Sequence, residues 1–166
     1  MEEPSGIRIG AIGKTPIYID LSFLILCGLF VILNMERGQP IAYALFWIPI
    51  LFVSILIHEL GHAGAIAALG FGASRISLAG FCGYTENFRR ARPWQDVLIS
   101  FAGPLMSFIL AFLVGILMGS FPRLGADLMM AALLPTLRWA NIAWGIFNLF
   151  PVYPLDGGQI VRNLSR

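Results

Sequence analysis

His58, Glu59 and His62 form the pattern His-Glu-Leu-Gly-His inside a mostly apolar stretch from Ile41 to Leu69. On a continuous α-helix, residues four apart lie on one face. Both imidazoles can therefore bind one metal ion, while the adjacent Glu59 reaches a metal-bound water as a general base. The plain alternative is a pair of packed histidines with a structural glutamate. However, an ionisable group at the centre of a lipid-buried helix costs about 2.5–3.5 kcal/mol even on the lenient insertion scale. Three such groups in five residues need a strong compensating partner, and a metal cation supplies it. Catalytic zinc commonly keeps three protein ligands and one open position, so a third ligand is needed. The remaining acids are Glu2, Glu3, Asp20, Glu36, Glu86, Asp96, Asp127 and Asp156. Glu36 and Asp127 fall at the wrong ends of their segments, and Asp20 and Asp96 sit where helix capping explains them. Asp156 lies in Pro-Val-Tyr-Pro-Leu-Asp-Gly-Gly, whose prolines and glycines force non-helical backbone. From the residues alone it reads equally as a ligand or as the N-cap of a helix over the following residues.

The elements that position these groups must be membrane helices. The 166 residues are 58% hydrophobic and 12% charged, whereas soluble domains average about 45–50% and about 25%; an ordinary water-soluble enzyme is excluded. A net charge of +2 gives no basic field for nucleic acid. Cys27 and Cys82 have neither disulfide nor zinc-finger spacing and read as free thiols. The start, MEEPSGIRIG, lacks the basic character of a secretory signal and is expected to be retained.

Four spans are predicted, over about 17–35, 41–69, 94–120 and 128–150. The second is too long to lie straight across the bilayer and must tilt, protrude or kink near Pro49. Alternating isoleucines over 6–20 suggest a short membrane-surface hairpin, and 70–92 a loop with a second strand or hairpin. Gly115 and Gly119, four apart, suggest a helix-packing surface, as do the small residues after His62. The expected fold is thus an all-α polytopic membrane protein with short β-hairpins, a single core over 1–166. Lys and Arg number eight on the side of the termini and the 70–92 loop, against three on the other. That places both termini, and the site, on the cytoplasmic side. Short loops and the missing signal suit a prokaryotic inner membrane.

These residues resemble the site-2 protease family of intramembrane zinc metalloproteases. The likeness rests on HELGH at 58–62, AGPLMS at 102–107 and FNLFPVYPLDGG at 147–158. The opening IRIGAIGKTPIYIDLSFL is similar to the branch containing archaeal members and the sporulation-factor protease. The resemblance implies zinc bound by His58, His62 and Asp156, with Glu59 as general base and Asn148 near the scissile carbonyl. It departs at Ser107, where the family often has Asn. Many members continue with further spans or a regulatory domain, whereas this chain stops at Arg166, either as a minimal core or as a truncated form.

The function expected is hydrolysis of peptide bonds in or near transmembrane segments of protein substrates. Relatives release membrane-tethered transcription regulators or degrade anti-sigma factors. A substrate helix must be unwound first, so Ser74, Arg75, Ile76, Ser77, Leu78 and Ala79 are expected to offer a strand edge that pairs with it. A membrane metal transporter or an inactive metal-binding scaffold is the alternative, and it would not need Glu59 as a base.

Overall fold

The computed structural model describes residues 6–80, 83–88 and 91–165. Glu2, Glu3, Cys82 and three of the counted arginines, Arg89, Arg90 and Arg166, lie outside the described residues. Two strands, β1 (Ile7–Ile12) and β2 (Thr15–Ile19), precede α1 (Leu21–Glu36), α2 (Ile41–Ala44) and α3 (Trp47–Ala68). Then come β3 (Ser74–Leu78), β4 (Tyr84–Asn87), α4 (Pro93–Ser120), α5 (Leu128–Asn148) and α6 (Asp156–Leu164). The chain is mostly helical, with one small sheet.

Local chemistry explains the helix boundaries. Asp20 caps α1 by accepting from the Ser22 backbone N–H at 2.9 Å, and Asp127 does the same for α5 through Met130. The long apolar stretch predicted as one span is interrupted before Pro49. Proline cannot donate a backbone hydrogen bond and clashes with the carbonyl four residues back. The helix therefore stops at Ala44 and restarts at Trp47, which leaves Pro49 in the first turn, where its missing N–H costs nothing.

Two helical units are long and apolar enough to cross a membrane, Ile41–Ala68 and Pro93–Ser120, while Leu21–Glu36 is apolar but shorter. The outer face of α4 carries exposed Phe101, Leu105, Ile109, Phe112 and Ile116, as a lipid-facing helix should. Inside, α3 packs on α4 and α5, and α4 also packs on α6. A core of Phe23, Leu26, Leu51 and Ile55 joins the helices to Ile17, Ile76 and Leu78 of the sheet. Cys27 is a buried free thiol within it.

The sheet has the order β1-β2-β3-β4. β1 and β2 are antiparallel, as are β3 and β4, but β2 and β3 run parallel with Ile17 opposite Ile76. A parallel pair needs a crossover, and α1 to α3 provide it. This overturns one expectation: the strand at Ser74–Leu78 is interior, with β2 on one side and β4 on the other, so it offers no free edge. The edge strands are β1 and β4, and β4 is the one that adjoins Ser74–Leu78.

Close helix approach also differs in place from the sequence reading. A Cβ on Gly61, within the motif, would collide with the Ala102 carbonyl and lie 2.8 Å from Met106 Cγ. One on Gly64 would meet nothing within 4 Å. Of the pair four apart on α4, Gly115 faces Arg138 and Gly119 faces open space. Gly61→Ala is therefore expected to destabilise the fold by about 1–3 kcal/mol and Gly64→Ala to stabilise it by up to about 1 kcal/mol. Thermal unfolding of the two variants in one detergent checks this, and equal midpoints would contradict so close an α3–α4 contact.

Candidate metal centre

The α3 helix carries His58 and His62 one turn apart on its inner face, both buried. Asp156 arrives from the far end of the sequence. After α5 ends, the chain turns back through Pro151 and Pro154, and the turn is tight: a Cβ on Gly157 would collide with the Leu149 carbonyl, and one on Gly158 with the Val152–Tyr153 backbone. Only glycine fits at either position, so the residues after Asp156 fix where its carboxylate points. Asp156 is the first residue of α6, and its side chain does not cap that helix. It faces the histidines instead.

His58 Nε2 lies 3.1 Å from Asp156 Oδ2, His62 Nε2 lies 3.5 Å from Oδ1, and the two Nε2 atoms are 3.2 Å apart. Tetrahedral zinc with bonds of about 2.0–2.2 Å implies ligand separations of about 3.3–3.6 Å, so the donor set has nearly the right spacing. The opposite ring nitrogens are also held. His62 Nδ1 is 2.7 Å from the Ile99 carbonyl, an atom that can only accept, so Nδ1 carries the proton and a neutral ring turns its lone pair inward. His58 Nδ1 is 3.1 Å from Ser107 Oγ, so the serine found where the family often has asparagine still makes a hydrogen bond. Such partners fix ring orientation and ligand basicity.

Gly103 backs the site from α4, where a Cβ would collide with His62 Nε2 and lie 2.8 Å from His58 Nε2. Burial alone would raise the Asp156 carboxyl, but hydrogen bonds to His58 and His62 and their charges hold it below the usual range. His58, His62 and Asp156 are the described residues that can hold a metal ion.

The three face a cavity of about 350 Å³ that is also lined by Glu59, Tyr84, Thr85, Asn148, Tyr153 and Arg162. Asn148 donates one N–H to the Trp144 carbonyl at 2.9 Å and retains a second. Glu59 is 1% exposed, and its carboxylate accepts from Thr85 Oγ1 at 2.8 Å. Of the strand residues expected to meet substrate, Ser74–Leu78 and Ala79 are not among those lining the cavity. Sequence reasoning missed the roles of Ile99, Gly103 and Thr85; the Gly-Pro pair in an otherwise helical stretch was the available signal for Gly103.

Fold and site together define an apolar helical bundle built around a cluster of two histidines and one carboxylate that could hold a metal ion. The model of peptidase family M50 matches residues 46–123 and 124–166, and the chain belongs to that family. A zinc metalloprotease of Methanocaldococcus jannaschii is 32% identical over 94% of this chain and 44% of its own length. Stage IV sporulation protein FB of Bacillus subtilis is 28% identical over 67% of this chain and 37% of its own. The solved site-2 protease from Methanocaldococcus jannaschii superposes with a TM-score of 0.77 at 29% identity, covering 96% of this chain and 71% of that one. The chain spans less than half the length of these two curated relatives. Members of this family are membrane proteins, in keeping with the two long apolar helices.

Ser107→Ala removes the partner of His58 Nδ1 without touching a ligand atom. It is expected to weaken zinc affinity by about 10–100-fold, as measured by competition with a chromogenic chelator; unchanged affinity would show that the serine does not support the ring.

Proposed function

We propose that this chain is the core of an intramembrane zinc metalloprotease that cuts peptide bonds in or near transmembrane segments of protein substrates. The observation that carries the reading is the meeting of His58, His62 and Asp156, with all ligand atoms within 4.8 Å of one another, beside Glu59 in a cavity of about 350 Å³. Family membership and the names of the relatives support it.

Under this reading His58, His62 and Asp156 hold zinc, which when bound polarises the scissile carbonyl and acidifies water. Glu59 accepts the proton of the attacking water and passes it to the leaving amine. Asn148 directs its spare N–H towards the scissile carbonyl. The polypeptide crosses the bilayer four times, through α1, the α2–α3 unit, α4 and α5, with both termini and the site towards the cytoplasm of a prokaryotic cell. The sheet supports that arrangement, because parallel pairing of β2 with β3 brings Arg8, Lys14 and Arg75 to one end of the bundle. An unwound substrate segment meets the sheet at β4, whose Tyr84 and Thr85 line the cavity. Substrates are membrane-tethered proteins such as transcription regulators or anti-sigma factors.

In detergent, Glu59→Gln is expected to keep its zinc and lose about 10²–10⁴-fold in cleavage of a membrane-segment substrate. Asp156→Ala is expected to lose both. Metal analysis alongside product quantification decides. Full turnover by Glu59→Gln would remove it as the base, and a zinc-loaded wild type that cleaves no membrane segment would favour a binding scaffold.

A further inference from the structure

The carboxylate of Glu59 is held from outside its own helix. Thr85 on β4 donates its hydroxyl proton to Glu59 Oε2 at 2.8 Å, while the Glu59 backbone carbonyl lies farther from the same hydroxyl, at 3.2 Å. Two residues earlier, Gly83 lies against the same carboxylate: a Cβ there would come to 2.5 Å from Oε1 and 2.9 Å from Cδ. The connection into β4 thus sets a glycine, and the strand a hydroxyl, against one side chain of α3. Free rotation about three side-chain bonds would otherwise let that carboxylate wander within the cavity.

We infer that Thr85 is a positioning residue for Glu59, holding the carboxylate in the orientation from which it takes and returns a proton. The inference rests on the reading of Glu59 as the base. It ties that base to the strand nearest the cavity, so strand and base keep a fixed relation while a peptide occupies the site.

Valine and serine separate the hydroxyl from the shape. Thr85→Val keeps the β-branched form and removes the donor, whereas Thr85→Ser keeps the donor. With zinc content and melting temperature equal to wild type, Thr85→Val is expected to lower kcat by roughly tenfold or more with KM unchanged, and Thr85→Ser to restore it. A second readout needs neither metal nor turnover. In metal-free protein, the infrared difference between wild type and Glu59→Gln identifies the Glu59 carboxylate band; Thr85→Val is expected to shift that band and Thr85→Ser to leave it. Wild-type kcat and an unmoved band in Thr85→Val would overturn the inference. A raised kcat would also overturn it, because the hydroxyl would then restrain the base. If Glu59→Gln itself cleaves normally, the reading of Glu59 fails instead, and the infrared result still reports on the hydrogen bond.

Discussion

Burying His58, Glu59, His62 and Asp156 among apolar helices removes four ionisable groups from water, and each carries a desolvation penalty of several kcal/mol unless a partner offsets it. The partners are reciprocal. One carboxylate faces two imidazoles, each imidazole turns its other nitrogen to an oxygen on α4, and Glu59 accepts from a hydroxyl on the sheet. No single helix can supply all of these atoms. The need to bring them together therefore dictates the arrangement of α3, α4, the turn into α6, and β4.

Glycine makes the convergence sterically possible. Gly61 and Gly103 let α3 and α4 approach so closely that the Ile99 carbonyl and Ser107 hydroxyl reach the rings, and Gly157 and Gly158 let the chain fold back under the end of α5. These are contacts of backbone with backbone or with a ligand atom, where even a methyl group has no room. Gly64 and Gly119 have open space around them, so a glycine within a membrane helix does not by itself mark a packing contact.

The motif on α3 was legible because it is local: helical period alone puts His58 and His62 on one face. Asp156 was not legible from the residues in the same way, since its distance from His58 is closed by packing of α4 against α6, and the residues left capping and ligation open until the likeness of the surrounding segment to a known family was recognised. The break ahead of Pro49 was written in the proline. The sheet was only half visible. Alternation reveals that Ile76 and Leu78 share a face, but it says nothing about what lies on either edge, and a parallel neighbour supplied across two helical units leaves no local trace. Thr85 was invisible for a related reason: in a strand, a threonine is unremarkable until the side chain beneath it is known.

The parallel pairing of β2 with β3 also governs the order in which the molecule can be assembled. β1 and β2 can form a hairpin as soon as they are made, but Ile17 meets Ile76 only after α1, α2 and α3 have been synthesised and folded out and back. Until then the inner edge of β2 has no partner, and Gly80 cannot donate to the Ser22 hydroxyl at the head of α1. The N-terminal hairpin thus waits at its end of the bundle for the later strands. The sheet can close only once α3, which carries His58 and His62, lies between its two halves in the chain, and it can do so before α6 delivers Asp156.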